Sequence, residues 1–268
     1  MTLSAFHTHC TFCDGKNTAE EMVLRAIELG CPEIGFSSHS PLWNEPAWCM
    51  TEKTVESYKT EILRLKDKYS DKIRIYLGIE YDYYTELDTR DFDYVIGSVH
   101  RIRKKDTYIT VDNTLQMHKD GIKEFYGGDK YAFVEEYYKM MGEIYERTSC
   151  DIVGHFDVIT KFNEREYFYD VNSSRYKEAV FASLDALKNG PVAFEVNTGA
   201  ISRGYRTTPY LEDYMLDRIV GMGKGLIITP DTHSADTLVA AMDDCAKGLS
   251  EKGYPYLTSM EEILQNKK

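Results

Sequence analysis

An α/β barrel, with parallel strands inside and helices outside, is the fold class this sequence predicts, and three observations point to it. Strand-like apolar runs alternate with helical ones along the chain, which argues for a parallel sheet covered by helices. Histidines and carboxylates fall at the C-terminal ends of nearly every strand-like run. Such ends meet at one mouth only where the sheet closes on itself; in an open sheet they would be strung along a line. No repeat of solenoid period and no linker of Gly, Pro or Ser divides the 268 residues, which read as one domain (1–268) with an insertion at about 101–128.

In chain order, the first strand is the run Ser4-Ala5-Phe6-His7-Thr8-His9-Cys10, where strand alternation puts His7 and His9 on one face. Thr18 and Glu21 then form a capping box that opens a helix carrying Met22, Ala26 and Leu29 and ending at Gly30. The second strand is Glu33 to Ser38, with His39 just past its end. A loop holding Trp43 and Trp48 leads to a helix from Glu52 to about Tyr69. The third strand is Ile73 to Ile79, ending at Glu80, and the fourth is Tyr94 to Val99, ending at His100. Residues 101–128 break the rhythm with a cluster of Arg101, Arg103, Lys104 and Lys105. A hairpin is expected around Val111-Asp112-Asn113, and an excursion of this length is usually a lid or functional insertion. Helix Lys130 to Glu146 precedes strand Asp151 to Gly154, which ends at His155. Helix Arg175 to Lys188 leads to strand Val192 to Asn197. Helix Tyr210 to Val220 leads to strand Leu226 to Thr229 and then to Asp231-Thr232-His233. A helix through Ala235 to Gly248 and a short one near Met260 close the chain, giving about seven strands in all.

Composition narrows the function. With 43% apolar and 28% charged residues the chain can build a full core under a soluble surface. A formal charge of −12 and a pI near 5.1 argue against a nucleic-acid-binding surface, which needs clustered Lys and Arg. No apolar run approaches the ~20 residues of a membrane span, and the N-terminus lacks the basic-then-apolar pattern of a signal peptide. The six scattered cysteines read as reduced thiols of a cytoplasmic protein. Cys10 and Cys13 have redox-motif spacing but no thioredoxin-like unit follows, so packing beside the first strand is expected of them. There is neither a Gly-x-Gly-x-x-Gly nor a P-loop, so a dinucleotide or ATP reading has no support.

The chain has seven histidines, and all but His118 lie on or just after an expected strand. Glu80 and Asp231 share that placement. Neutral imidazoles and carboxylates converging on one mouth suit borderline divalent metals such as zinc, manganese or iron. His118, inside the insertion, is expected at the surface.

Taken in order, His7-Thr8-His9 with Cys13-Asp14-Gly15, Gly78-Ile79-Glu80, Gly97-Ser98-Val99-His100, Gly154-His155-Phe156-Asp157 and Asp231-Thr232-His233 resemble the motifs of the PHP (polymerase and histidinol phosphatase) family. The likeness spans almost the whole chain. Glu195 to Ala200 with Ser202-Arg203 is more similar to the histidinol-phosphatase branch than to the polymerase-associated one. The resemblance implies a distorted (β/α)7 barrel and three divalent ions. It implies that His7, His9, Glu80 and Asp231 hold one ion, that Glu80 bridges to a second held by His100 and His155, and that His39, His233 and Asp14 hold the third. Asp14 departs from the pattern, because many members carry histidine there.

The implied activity is hydrolysis of L-histidinol phosphate to L-histidinol and phosphate in histidine biosynthesis, through metal-activated water and no covalent protein intermediate. Glu80 would bridge ions, and Asp231 or His233 would relay a proton. Phosphoryl oxygens call for Arg or Lys: Arg203 first, with Ser202 beside it, then Lys161 and Arg101. Glu45, Trp43 and Trp48 are candidates for the imidazole and amine of the substrate. Two alternatives stand beside this reading: a phosphoesterase of the family acting on nucleotides or nucleic-acid 3′ ends, and a metal-binding interaction domain without catalysis.

Overall fold

A computed structural model describes residues 3–43 and 47–265. The chain runs through α1 (Ala19–Glu28), β1 (Glu33–Phe36), α2 (Glu52–Lys68), β2 (Arg74–Asp82), β3 (Tyr94–Ser98), β4 (Arg101–Lys104), β5 (Thr107–Thr110), α3 (Leu115–Tyr126) and α4 (Lys130–Thr148). It continues through β6 (Ile152–Val153), α5 (Ser174–Leu187), β7 (Ala193–Asn197), α6 (Gly199–Ser202), α7 (Asp213–Gly221), β8 (Leu226–Thr229), α8 (Met242–Glu251) and α9 (Met260–Gln265). Six strands pair in parallel in the order β1-β2-β3-β6-β7-β8. Strands β1, β3, β7 and β8 are buried along their whole length, as a sheet covered on both faces requires.

The expected first strand joins the two edges of this sheet. Gly35 N donates to Ala5 O (2.8 Å) and Ser37 N to Thr8 O (2.9 Å) on the β1 side. His9 N donates to Thr232 O (2.9 Å) and Thr232 N to His7 O (3.1 Å) past the end of β8. The segment is thus a stave of single bridges rather than a regular strand, because it changes partner between Ala5 and Thr8. The result is the distorted, curled barrel expected of the sequence.

Strand alternation divides the barrel interior into two storeys. Phe6, Tyr94, Ile96, Ile152, Ala193 and Ile227 pack together, and Met260 and Ile263 of α9 pack against them. Two to four residues further along the same inward-facing rows stand Glu80, His100, Glu195 and Asp231. An apolar plug therefore lies under a polar mouth, and the burial of each storey follows from the period of two.

The capping box of Thr18 and Glu21 forms as expected, and α2 is capped by Thr51. Three expectations need correcting. The hairpin of the insertion turns at Lys105-Asp106 and not around 111–113, with Lys105 in the left-handed region (φ 53°). A helix, α3, follows it; Gly121 hid this helix in the sequence. A Cβ there would stand 2.3 Å from Ile109 Cγ2, so glycine is what lets α3 lie on the hairpin. The helix expected over 235–248 is interrupted: Ala241 takes a left-handed conformation (φ 59°), leaving a 3-10 turn at Ala235–Thr237 before α8. Among the described residues no helix is long and apolar enough to cross a membrane.

His118 is the clearest departure, for it is buried rather than at the surface. Its Nδ1–H donates to Val111 O (2.8 Å), which leaves Nε2 to accept from the Tyr169 hydroxyl. Phe133 and Phe168 pack edge-on around the ring. Burial pushes its pKa down to about 4. The unfolded chain then binds one more proton than the native one between pH ~6.5 and ~4, so stability falls as pH drops through that window. Urea unfolding of the wild type and His118→Gln at pH 7 and pH 4.5 is expected to show the wild type losing roughly 2 kcal/mol relative to the variant. Parallel losses in the two proteins would sink this assignment.

Candidate metal centre

Glu80 sits at the centre of the mouth, 1% exposed, on the longest strand. Its Oε1 lies 3.1 Å from His100 Nε2 and 2.9 Å from His155 Nε2. Its Oε2 lies 2.8 Å from His39 Nδ1, 3.2 Å from His7 Nε2 and 3.5 Å from His9 Nε2. Asp231 Oδ1 faces the same space, 3.7 Å from His9 Nε2 and 3.9 Å from His7 Nε2. At the more exposed side, Asp14 Oδ1 lies 3.3 Å from His233 Nε2 and 3.7 Å from His39 Nε2. All nine residues expected to bind metal are therefore gathered, from seven separate places in the chain, into one cluster.

The donor chemistry fits divalent cations. Three sets, His7-His9-Glu80, His39-Glu80-His100 and His9-Asp14-His39-His233, each place one nitrogen or oxygen per residue within 4.8 Å of the others. His7 Nε2, His9 Nε2 and Glu80 Oε2 are buried and have no hydrogen-bond partner, an arrangement that is costly unless a cation completes it. Burial, with His233 and His39 beside it, holds His9 well below its ordinary pKa, so it stays a neutral lone-pair donor. For His7, burial is outweighed by Glu195, Glu80 and Asp231, which hold the imidazole well above its ordinary value. His100 is likewise held up, against burial, by Glu80 and Asp82. Groups that attract a proton so strongly at those points attract a metal ion for the same reason. Against burial, the imidazoles of His39, His7 and His100 keep Glu80 well below the carboxylate range, and Arg203, His7 and His233 do the same for Asp231.

Two carboxylates of the site were not among the residues expected to bind metal or substrate. Glu195 Oε1 accepts from His7 Nδ1 (2.6 Å) while its Oε2 accepts from the His155 backbone N–H (2.8 Å). Asp82 Oδ2 lies 3.2 Å from His100 Nδ1. Each fixes which nitrogen of its histidine faces the centre. The signal was alternation: Asp82 stands two residues after Glu80 on β2, and Glu195 shares the inward face of β7 with Asn197. Cys13 plays the weaker counterpart for His9, its Sγ 3.4 Å from Nδ1. All six cysteines are free.

A cavity of about 750 Å³ opens over the cluster. Arg203 lines it; its Nη2 donates to Asp231 Oδ2 (3.0 Å) and Nη1 to Asp231 O (2.8 Å). Asp231 adopts a left-handed backbone (φ 42°), and Gly199 makes room for it, since a Cβ there would stand 2.8 Å from Asp231 Cβ. Lys161 lines it as well and donates to Asp112 O (2.7 Å). Arg101 lines the cavity too, its guanidinium 4.2 Å from the Tyr108 ring centroid. Trp48 stands edge-on to His39 and His100, and Trp43 is at the lip, 76% exposed. Ser202 is turned away: its Oγ donates to Gly199 O (2.9 Å) and it is not among the residues lining the cavity. Glu45 lies outside the described residues.

The family model of the PHP domain matches residues 5–199. The chain belongs to the PHP domain family. Similar PHP-domain relatives include the histidinol-phosphatase of Bacillus subtilis, 28% identical over 255 residues, which cover 85% of this chain and 92% of that protein. The probable histidinol-phosphatase of Schizosaccharomyces pombe is 27% identical over 252 residues, covering 85% and 79%. Among solved structures, hisK from Listeria monocytogenes superposes with a TM-score of 0.78 at 20% identity, covering 90% of this chain and 99% of its own. Histidinol phosphate phosphatase from Lactococcus lactis, solved with zinc, L-histidinol and phosphate, gives 0.68 at 22% identity, covering 96% and 95%. These two superpositions establish the PHP-type barrel. Asp14 is joined to the cluster through His233 and His39.

Proposed function

We propose that this PHP domain is a metal-dependent phosphomonoesterase that hydrolyses L-histidinol phosphate to L-histidinol and phosphate, serving histidine biosynthesis in the cytoplasm. The observation that carries this reading is the coincidence, in one cavity, of a buried imidazole–carboxylate cluster with Lys16, Arg101, Lys161 and Arg203 in its walls. A dianionic ester needs both: cations around its outer oxygens and a metal-binding floor beneath its phosphorus. The relatives named for this activity, each aligned along 85% of the chain, favour histidinol phosphate over nucleotides.

Three divalent ions, of zinc, manganese or iron, are the complement we assign, held as the resemblance implies with Glu80 shared between two of them. Bound there, such ions supply Lewis acidity, lowering the pKa of an attacking water and screening the phosphoryl charge. The chain's own residues do the rest. Glu195 and Asp82 hold His7 and His100 in the orientation that presents Nε2. Arg203, anchored on Asp231, and Lys161 turn cationic groups toward the outer oxygens of the phosphate. Asp231 and His233, at the rim, are placed to pass a proton between the centre and solvent.

The test is metal analysis of the purified protein together with phosphate release from a panel of small monoesters. L-histidinol phosphate is expected to be the best substrate, with activity abolished by a chelator and restored by divalent ions, and none on single-stranded DNA. Metal-loaded protein that releases no phosphate from it would overturn the reading.

A further inference from the structure

The leaving group of this reaction carries an ammonium three bonds from the ester oxygen, and a cation of that kind calls for a carboxylate close to the phosphate site. The sequence offered Glu45 for this. Among the described residues lining the cavity, the carboxylates outside the metal cluster are Asp106 and Asp112. Asp106 sits on the exposed hairpin turn, where a carboxylate is screened by water. Asp112 lies deeper, its side chain 24% exposed.

Resting on the histidinol-phosphate reading above, we infer that Asp112 receives the ammonium group of the substrate and so makes the enzyme select amino-alcohol phosphates over other monoesters. Its position is fixed on two sides. Val111 N donates to His100 O (2.9 Å), which ties the segment to the metal-binding strand, and the buried His118 holds Val111 O from behind. Asp112 therefore stands one residue from a backbone bond to a metal-cluster histidine. Against burial, Lys161 acts most strongly on its charge, with His100 and His155 behind it. One carboxylate oxygen, Oδ2, faces Lys161 Nζ at 3.3 Å. The same Lys161 ammonium donates to the Asp112 carbonyl at the shorter distance of 2.7 Å, so the lysine is anchored chiefly by backbone. That leaves the carboxylate free to take a second cation. Lys161 toward phosphate and Asp112 toward ammonium then form an alternating row of charges matching the zwitterionic end of the substrate. Tyr108 and Trp43, 6.5 Å apart, offer aromatic surface at the lip for its imidazole.

The experiment compares kcat/KM for L-histidinol phosphate with that for its deamino analogue, 3-(imidazol-4-yl)propyl phosphate, in the wild type and in Asp112→Asn. The wild type is expected to prefer the amino ester, and Asp112→Asn to lose that preference by tenfold or more. Asp112→Ser, smaller than the native side chain, gives the same comparison should the asparagine variant fail to fold. If both esters decline together with their ratio unchanged, Asp112 serves only to hold Lys161 and the inference falls. It falls equally if the wild type does not discriminate between the esters. A wild type that releases no phosphate from L-histidinol phosphate would instead remove the reading on which the inference stands.

Discussion

Alanine at Glu80 is expected to leave a folded protein that retains fewer divalent ions and releases phosphate at least about a thousandfold more slowly, a loss of ~4 kcal/mol in transition-state stabilisation. Five imidazole nitrogens from three β-strand ends and the opening segment lie 2.8–3.5 Å from its two oxygens. Glu195 also spans from His7 to His155, but from behind, through His7 Nδ1 and the His155 backbone N–H, whereas Glu80 meets the Nε2 atoms of His7, His9, His100 and His155. If the ions proposed above are bound, removing Glu80 would take away the carboxylate proposed to be shared between two of them, and repulsion between like charges would favour the loss of one. Alanine also opens a gap among buried rings, so Glu80→Gln is the companion variant, with the volume kept and the charge gone. Elemental analysis after gel filtration, beside phosphate release, reads both effects. Unchanged turnover at full metal content would end the bridging assignment.

The residues around Glu80 also show how far one chain of letters can be read. Histidines at strand ends were visible because polar groups after apolar runs stand out against the alternation of β and α. Their convergence followed from closure of the sheet, which that alternation predicts. Asp82 and Glu195 escaped because each sits inside or beside an apolar run and looks like the edge of a strand. Their partners, His100 and His7, are 18 and 188 residues away. Only the inward register of β2 and β7 brings them behind the imidazoles. His118 was misjudged for the converse reason. A polar residue in a charged insertion reads as solvated, but α3 folds back on the hairpin and buries it between Val111 and Tyr169. Lone histidines satisfied by a backbone carbonyl and a tyrosine carry no local signature. The insertion as a whole was legible as an excursion and not as a hairpin plus helix, since a glycine required by packing against Ile109 diluted the helical pattern.

Gly78→Ala is expected to destabilise the fold by roughly 3 to 5 kcal/mol, although it adds one methyl group at a site far from solvent. Glycine two residues before Glu80 is part of the motif, and the structure gives the physical cause. A Cβ at 78 would stand 2.2 Å from Tyr94 Cε1 and 2.3 Å from Cζ. The ring cannot retreat. The ring also runs close over Gly35 on the neighbouring strand, with the Tyr94 hydroxyl 2.5 Å from where its Cβ would be, and its far end is held by a hydrogen bond. The same hydroxyl donates to Phe6 O (2.5 Å) with Phe36 O 3.2 Å away, tying the opening segment to β1 beneath His7 and His9. An added methyl must therefore either break that hydrogen bond, leaving a buried polar group unpaired, or push β2 outward and carry Glu80 with it. Either route links overpacking in the apolar storey to the geometry of the metal-binding one. Urea unfolding of the metal-free proteins measures the cost without a contribution from bound ions. The double variant Gly78→Ala/Tyr94→Leu should lose less than the sum of its two single changes, because the clash exists only when both original partners are large. Additive losses, or a cost below ~1 kcal/mol for Gly78→Ala alone, would show that the barrel interior yields at this point and that the glycine is not required by the tyrosine.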